Sequence, residues 1–565
     1  MTGAVEPKTS DEMIVQPAAE ATHRRSMNLA YWVTQNARRL PSSVAVIWGE
    51  RTRSWAEFDA RVSAFAAGLA AQGVGKGSKV LVHSKNSHEM FESMFATFRL
   101  GAVWVPTNFR LLPDEVVYMA EVAQSEVFLC QSDFPSYAEA VCAARPTTKV
   151  IWLEGEGPPD DRLTASALIE AYAGTRIQNT RVEADTPCWF LFTSGTTGKP
   201  KAAVLTHGQL ACVITNHLCD LLPGIGSEDG ALVVAPLSHG AGVHQLNMVA
   251  RGAKTVLMPS DRFDIDLAFS LIERHRLTNL FTVPTILKML VEHESVDRHD
   301  HSSLRYVIYA GAPMYGEDQR LALRKLGRKL VQYYGLGEVT GSISVLPAHE
   351  HDSPDLAIAQ RPGTCGYERT GMEVSIQDEQ GRELPYGETG EVCVAGPAVF
   401  AGYHDNPEAN AKSFRDGWFR TGDVGHMDAS GYLFLTGRAS DMYISGGSNI
   451  YPRELEDRIL THGDISAVAV VGMPDRQWGE VGVAVCVRRP GAQVTEEELL
   501  EWMSSRIARY KLPKQVKFWD SLPTSGYGKV PKRDVKERLM RSASEAVSPS
   551  AGVGPQHKVH QENRS

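Results

Sequence analysis

A buried strand that opens directly into a loop rich in glycine and hydroxyl groups is the strongest constraint in this sequence. The stretch LFTSGTTGKP spans residues 191–200 and continues the apolar pair Trp189 and Phe190. Its glycines let the backbone bend so that N–H groups converge, and its hydroxyls and lysine add further donors. A combination of backbone N–H, hydroxyl and ammonium donors is typical of a phosphate-binding site. The alternative is a plain glycine–threonine turn that binds nothing.

The loop differs from a Walker A motif, which needs four residues between its glycines and Ser or Thr after its lysine. Here two residues separate Gly195 from Gly198, and Pro200 follows Lys199. A different phosphate-binding architecture is therefore expected. Its candidate contacts are Thr193, Ser194, Gly195, Thr196, Thr197, Gly198 and Lys199.

Strand-like and helix-like stretches alternate through the first two thirds of the chain. The stretches KVLVHS (79–84), AVWVPTN (102–108) and EVFLC (126–130) predict strands, with helical periodicity between them. This order predicts an α/β fold whose large N-terminal domain holds parallel subdomains. After residue 365, short alternating strands with Asp/Gly turns predict a small β-rich lobe. After about residue 440, strands and a helix starting at the capping box Thr495–Glu498 predict a small α+β domain.

Composition and charge exclude several classes of function. The formal net charge is −9, so the chain lacks the basic excess that neutralises nucleic-acid phosphates. No apolar run reaches the length that spans a bilayer. The eight cysteines form no Cys-x-x-Cys pair, which predicts neither disulfides nor a zinc site and favours a cytoplasmic location. The histidine-rich segment 293–301 matches no metal-ligand spacing and predicts a solvated helix end or loop.

Five further stretches, in a fixed order, accompany the phosphate loop. They are PLSHGAG (236–242), YAGAP (309–313), YYGLGEVT (333–340), the long run GWFRTGDVG…SNIYPRELE (417–456) and LPTSGYGKVPKR (522–533). Together with LFTSGTTGKPKAAVLTH (191–207), they resemble the motifs of the adenylate-forming superfamily of acyl-CoA ligases, luciferases and peptide-synthetase adenylation domains. The resemblance covers residues 27 to 540.

This resemblance implies an AMP-forming acyl-CoA synthetase that uses ATP, Mg²⁺ and coenzyme A. Such an enzyme joins a carboxylate to AMP, releases pyrophosphate and then transfers the acyl group to a thiol. By resemblance, Lys529 stabilises the charge that develops at the α-phosphoryl group during adenylation. Glu338 is the expected Mg²⁺ ligand, with Thr197 as a second contact.

The remaining motif positions imply contacts to the nucleotide, the acyl group and coenzyme A. Asp423 and Arg438 are expected at the ribose, and His239 is expected to line the acyl pocket and gate the thiol tunnel; a core histidine is its alternative. The adenine is expected between Tyr334, in the motif that also holds Tyr333 and Gly335, and the segment Gly311, Ala312 and Pro313. Gly446 and Gly447 are expected along the pantetheine arm.

Two positions depart from the family pattern. Gly337 stands where a threonine is usual, which removes a hydroxyl donor to the α-phosphate; Thr340 is a candidate substitute. Ser440 stands at the hinge position, which is usually Asp or Lys. A hinge needs only to absorb changes in backbone angles, so serine is compatible with it.

The predicted organisation has two domains between two tails. Residues 1–26 and 542–565 predict disordered tails. Residues 27–436 form the predicted AMP-binding domain, and residues 437–541 form the C-terminal domain with its hinge near 438–441. The resemblance also allows a homodimer, although no stretch predicts an interface.

The sequence narrows the acid substrate without choosing it. Gly240 occupies the position where amino-acid-adenylating domains carry Asp, so a substrate ammonium would lie unpaired. The small residues 240–242 predict room for a medium- or long-chain fatty acid or an aryl acid, and thus a role in fatty acid or lipid metabolism. His244 and Asn247 suit a hydroxylated or dicarboxylic acid. The alternatives are an adenylating enzyme that serves a separate carrier protein and a catalytically silent nucleotide-binding protein.

Overall fold

The computed structural model describes residues 26–547 except 157–161, 194–198, 260–262, 313, 315, 352–362, 439, 446–447 and 525–529. Its helices are α1 (Tyr31–Arg39), α2 (Trp55–Ala71), α3 (His88–Arg99), α4 (Pro113–Ala123), α5 (Pro135–Ala144), α6 (Ala165–Ala171), α7 (His207–Asp220), α8 (Gly240–Arg251), α9 (Ile265–His275), α10 (Pro284–Glu292), α11 (Ser295–Arg298), α12 (Gly316–Leu326), α13 (Pro407–Ser413), α14 (Pro452–Ile459), α15 (Glu496–Ser504) and α16 (Lys532–Val547).

The strands of the N-terminal half are β1 (Val44–Trp48), β2 (Arg51–Ser54), β3 (Lys79–His83), β4 (Val103–Thr107), β5 (Val127–Gln131), β6 (Lys149–Leu153), β7 (Pro187–Thr193), β8 (Lys201–Thr206), β9 (Gly230–Val233), β10 (Lys254–Leu257), β11 (Asn279–Thr282) and β12 (Tyr306–Tyr309). Those that follow are β13 (Leu330–Tyr334), β14 (Ser344–Leu346), β15 (Thr364–Glu368), β16 (Glu373–Gln377), β17 (Gly390–Ala395), β18 (Phe414–Arg415), β19 (Trp418–Met427), β20 (Tyr432–Arg438), β21 (Tyr443–Ser445), β22 (Ser448–Ile450), β23 (Ile465–Asp475), β24 (Gly479–Arg488) and β25 (Gln515–Phe518).

A six-stranded sheet carries the strand that leads into the predicted phosphate loop. Its order is β6-β5-β3-β4-β7-β8, and every neighbouring pair is parallel except β7 and β8. Strand β7 is buried along most of its length, which agrees with its apolar sequence. The antiparallel partner β8 brings residue Lys201 opposite Thr193, so both ends of the loop leave the sheet at one edge.

A second sheet of fourteen strands joins the parallel subdomain to the predicted β-rich lobe. Its parallel half has the order β13-β12-β11-β9-β10-β1, and the antiparallel strands β14, β15, β20, β19, β17 and β16 extend it beyond β13. The lobe is therefore continuous with the parallel sheet. The junction is made by β13 and β14, where Tyr334 pairs with Ser344.

The C-terminal part has the predicted α+β character. Strands β22, β21, β24 and β23 form one sheet, to which β25 adds in parallel beside β24. Helix α15 begins at the predicted capping box, in which the Thr495 hydroxyl accepts from the Glu498 backbone N–H. Helix α16 runs to Val547, beyond the predicted start of the tail at residue 542.

A continuous apolar core connects the two large sheets. It includes Trp104 and Trp189 of the six-stranded sheet together with Phe281 and Ile308 of the fourteen-stranded sheet. Within the described ranges, no helix combines the length and the apolar character needed to cross a bilayer.

Candidate active site

Four parallel strands of the large sheet end at one edge, and the candidate site is built there. Phe281 of β11 pairs with both Val233 of β9 and Ile308 of β12, and Tyr309 of β12 pairs with Gln332 of β13. The loops after these strands therefore converge outside their carboxyl ends, where α/β sheets commonly bind ligands.

Glu338 lies in the short 3-10 helix Gly337–Val339 that follows β13, and the structure connects it directly to the start of the phosphate loop. The Thr193 hydroxyl donates to Glu338 Oε1 over 2.7 Å, although 145 residues separate them. Glu338 is 5% exposed. Its backbone oxygen accepts from the Phe400 N–H over 2.8 Å, which fixes the peptide that carries the carboxylate.

Tyr403 donates a second hydrogen bond to the same carboxylate oxygen. This contact was not predicted from the sequence. Its hydroxyl lies 2.9 Å from Glu338 Oε1, and Lys201 Nζ lies 4.0 Å from the centre of its ring. Burial, followed by the charge of Glu338, raises the pKa of the Tyr403 hydroxyl, so the group remains a protonated donor. Lys201 directly follows the stretch 191–200. Neither Lys201 nor Tyr403 stands at a motif spacing that would have identified it as a site residue.

The predicted nucleotide contacts Tyr334, Asp423 and Arg438 are brought together by three different strands. Asp423 of β19 pairs in register with Arg438 of β20, whose Nε lies 3.0 Å from Asp423 Oδ1. The Tyr334 hydroxyl donates to Asp423 Oδ2 over 2.6 Å. The charge of Asp423 raises the pKa of Arg438, and burial raises that of Tyr334. One carboxylate thus orients both an aromatic ring and a guanidinium.

Close backbone packing shapes the segment that holds Tyr333 and Gly335. A β-carbon at Gly335 would lie 2.6 Å from the Gly341 backbone, and one at Gly341 would lie 2.2 Å from the Tyr333 ring. Gly341 also has a φ of +78°, which favours glycine. Gly311 and Ala312 follow β12 at the same edge, and Gly311 has a φ of +83°.

His239 is half-buried at the N-terminal end of α8, where its backbone N–H donates to the Pro236 carbonyl over 3.2 Å. The two glycines that follow pack against aromatic rings. A β-carbon at Gly240 would lie 3.0 Å from Phe281 Cζ, and one at Gly242 would lie 2.8 Å from the Trp189 ring. A larger residue at either position would meet these rings, so close packing favours glycine at both.

The other predicted residues have mixed outcomes. Lys199 is exposed, and its Nζ lies 5.2 Å from the centre of the Tyr118 ring. Thr340 is nearly buried, and its hydroxyl has no hydrogen-bond partner within the described ranges. Nine predicted residues lie outside the described residues: Ser194, Gly195, Thr196, Thr197, Gly198, Pro313, Gly446, Gly447 and Lys529.

The histidine-rich segment 293–301 has ordinary protein partners. His299 Nδ1 lies 2.8 Å from Glu273 Oε2, and Lys325 Nζ lies 2.5 Å from Asp297 Oδ2. Among the residues that the structure describes, no group of three or more His, Cys, Asp or Glu side chains is arranged to hold a metal ion.

Family models match both parts of the chain. The model of the AMP-binding enzyme matches residues 33–404, and the model of the AMP-binding enzyme C-terminal domain matches residues 454–529. The chain belongs to the AMP-binding enzyme family. It is an AMP-forming acyl-CoA ligase, which joins a carboxylic acid to coenzyme A at the expense of ATP through an acyl-adenylate.

Named relatives span nearly the whole chain. A feruloyl-CoA synthase from an Amycolatopsis species is 37% identical over 91% of this chain and 100% of that protein. An indoleacetate–CoA ligase from Aromatoleum aromaticum is 36% identical over 91% of this chain and 99% of that protein. The crystal structure of ATP-bound MatB from Rhodopseudomonas palustris is 29% identical, covers 91% of this chain and 99% of that one, and has a TM-score of 0.81. The ligase therefore has the same overall architecture as an ATP-binding neighbour.

Proposed function

We propose that this ligase acts on an aryl carboxylic acid in preference to a long-chain fatty acid. The observation that carries the proposal is a group of three aromatic side chains, Trp189, Phe281 and Tyr333, at the start of α8. Phe281 and Trp189 fill the space beside Gly240 and Gly242, and Tyr333 stacks on Phe281 with ring centres 6.0 Å apart. Flat aromatic groups pack well against such rings. Feruloyl and indoleacetyl, the groups in two relatives' names, are both aromatic.

The reaction needs two group transfers at one site. A carboxylate oxygen attacks the α-phosphorus of ATP, and the bond to pyrophosphate breaks. The coenzyme A thiolate then attacks the acyl carbon, and AMP leaves with the electron pair of the broken bond. We assign Lys529 and the loop 193–199 to stabilising the phosphoryl charge in the first step. Asp423 and Arg438 would bind the ribose, and Tyr334 would pack on the adenine beside Gly311.

Glu338 would hold Mg²⁺, with Thr197 as a second contact. The residues present fit this ion, because Mg²⁺ is usually bound by one or two carboxylates together with substrate phosphates. The Thr193 and Tyr403 hydroxyls both donate to Oε1 of Glu338, which fixes the orientation of the carboxylate. The ion would neutralise charge on the phosphates; the protein's own part is to keep that carboxylate in position.

We further propose that residues 27–436 and 437–541 act as two domains with a hinge near residues 438–441. A rotation about this hinge would move Lys529 out of the active site after adenylation. It would bring the segment of Gly446 and Gly447 to the path by which the coenzyme A thiol enters.

All eight cysteines lie in the described part and are free, which agrees with a reducing, cytoplasmic location. A homodimer stays a prediction, which the molar mass measured by light scattering would test.

The test is a panel of carboxylic acids assayed with ATP, Mg²⁺ and free coenzyme A. Pyrophosphate release reports adenylation, and chromatography of the acyl-CoA product reports thioester formation. We expect aryl acids such as cinnamate to give kcat/KM at least tenfold above that of palmitate. A fatty-acid preference would overturn the assigned class. Pyrophosphate release without acyl-CoA would favour an enzyme that serves a carrier protein, and no release with any acid would favour a silent protein.

A further inference from the structure

A row of stacked rings beneath α8 leads away from the candidate active site. The His244 and Phe281 ring centres lie 5.9 Å apart at 29°, and those of Phe281 and Tyr333 lie 6.0 Å apart at 18°. The row starts beside Gly240, whose β-carbon position is 3.7 Å from the Tyr333 hydroxyl. The row therefore runs from the end of β13 along the face of the sheet beneath α8.

Two buried polar side chains on α8 lie at the far end of this row. Asn247 is fully buried, and neither its amide oxygen nor its amide nitrogen has a hydrogen-bond partner in the described part of the protein. Residues 240, 244 and 247 share one face of the helix. At 1.5 Å per residue, Asn247 lies about 10 Å along the axis from Gly240. Leaving a buried amide without a hydrogen-bond partner is costly, so a partner for it is expected.

His244, three residues before Asn247 on α8, adds an acceptor. Its Nε2 lies 3.0 Å from Asn279 Oδ1, and the Asn279 amide nitrogen donates elsewhere, to the Gly230 carbonyl at 3.3 Å. Nε2 therefore carries the proton, and Nδ1 keeps a lone pair. Nδ1 is buried and unpaired among the described residues. The missing partner of His244 is consequently a hydrogen-bond donor.

The charges around this end of the row exclude a second carboxylate on the substrate. Arg369 lies over the Tyr333 ring, but its Nε is 3.1 Å from Asp220 Oδ2 and its Nη1 donates to the Gly341 carbonyl. Burial lowers the pKa of His244 to about 4 and that of His217 well below its usual range, so both rings are neutral at pH 7. A carboxylate here would be buried without a counter-charge, which is costly.

We propose that the acyl group carries a neutral O–H or N–H donor at the end remote from its carboxylate, bound by His244 Nδ1 and the Asn247 amide. The inference rests on the proposed aryl-acid function and names the substrate class more closely: phenolic acids or acids with a ring N–H. Of the two acids left open by the sequence, the hydroxylated one is favoured over the dicarboxylic one. His244 and Asn247 are thereby specificity-determining residues.

The experiment compares acids that differ only in the donor. The pairs are para-hydroxycinnamate with para-methoxycinnamate, and indoleacetate with N-methylindoleacetate, with para-carboxycinnamate as the charged member. Ortho- and meta-hydroxycinnamate extend the first pair to other donor positions. We expect the best donor-bearing acid to exceed its methylated partner at least tenfold in kcat/KM for acyl-CoA formation, and the dicarboxylic acid to be the poorest.

The Asn247→Leu variant tests the assignment of the amide. Because it removes an unpaired polar group, we expect it to fold, and its Tm is measured to verify this. The donor preference should fall about tenfold, whereas kcat/KM for unsubstituted cinnamate should be retained. Asn36→Leu is the matched control: Asn36 is also fully buried and donates to the Val249 carbonyl of α8 from the other side, at 2.6 Å. It should lower Tm without changing the donor preference.

Three results would overturn the inference: equal kcat/KM for every donor-bearing acid and its methylated partner, an unchanged donor preference in Asn247→Leu, or the same loss of preference in Asn36→Leu. Each of these leaves the proposed function intact provided that cinnamate remains a better substrate than palmitate. If Asn247→Leu does not fold, His244→Phe replaces it, and an unchanged donor preference in that variant overturns the inference equally.

Discussion

A β-carbon on Gly337 would lie 2.7 Å from the Thr193 Cγ2 methyl and 3.0 Å from Leu191 Cδ2. The position that usually carries threonine in this family is therefore blocked by the β-branched residue that ends β7. That same threonine places its hydroxyl 2.7 Å from Glu338 Oε1. The unusual glycine and Thr193 thus form one packing unit next to the proposed Mg²⁺ ligand.

The first prediction follows from this contact. We expect Gly337→Thr to lower the adenylation rate at least tenfold, because Thr193 and the loop after it must shift to admit the new side chain. Adding Thr193→Ser removes the obstructing methyl and keeps the hydroxyl, so the double variant should recover most of the rate. Pyrophosphate release measures the rates of Gly337→Thr, of Thr193→Ser alone and of the double variant. Additive losses would contradict the proposed coupling.

Tyr403 is predicted to position Glu338 rather than to contact the substrate. Tyr403→Phe removes one of two hydrogen bonds to a carboxylate oxygen, and we expect kcat to fall about tenfold. The apparent Mg²⁺ affinity, measured by titration, should weaken as well. Tyr306→Phe is the control, because the Tyr306 hydroxyl bonds the Pro223 carbonyl at the opposite end of β12. Identical Mg²⁺ titrations of both variants would argue for a merely structural Tyr403.

Asp423 is predicted to bind the nucleotide and to orient its two neighbours. Asp423→Asn keeps the shape but removes the charge that faces Arg438 at 3.0 Å. We expect KM for ATP to rise about tenfold or more, because a hydrogen bond to a charged group is worth about 1.5–3 kcal/mol. KM for the acid should change little. A larger effect on the acid than on ATP would place Asp423 at a different subsite.

Lys529 lies outside the described residues, so its role rests on the motif alone. Lys529→Ala should lower pyrophosphate release about a hundredfold or more. Thioester formation from a chemically prepared acyl-adenylate should remain close to normal, because that step needs no charge stabilisation at the triphosphate. Normal adenylation by this variant would refute the assignment.

The sequence predicted the local structure well where short-range chemistry determines it. The capping box at Thr495 forms as expected, with both reciprocal hydrogen bonds present. The strands around residues 79–84, 102–108 and 126–130 are also confirmed. These features depend on residues a few positions apart, and local pattern is informative at that range.

The sequence could not reveal contacts that arise only when distant segments pack together. Tyr403 reaches Glu338 because its segment pairs with β8, where Ala203 and Tyr403 form an isolated bridge. The two hydroxyl donors to the Glu338 carboxylate therefore come from separate parts of the chain. The packing of Phe281 and Trp189 against Gly240 and Gly242 could not be foreseen for the same reason, because it joins strands β11 and β7 to helix α8.

The last prediction concerns the pH dependence of stability. Burial lowers the pKa of His83, His244 and His351 to about 4 and that of His207 to about 3, from an ordinary value of 6.5. Between pH 6.5 and 4 the unfolded chain therefore binds more protons than the native one, so stability falls as pH falls. Each histidine contributes at most about 1.4 kcal/mol per pH unit, reached in the middle of this window. His207→Gln should flatten the decline of Tm between pH 6.5 and 4.5, whereas replacing the exposed His349 with Gln should leave it unchanged. A slope in His207→Gln equal to that of the parent protein would contradict this linkage.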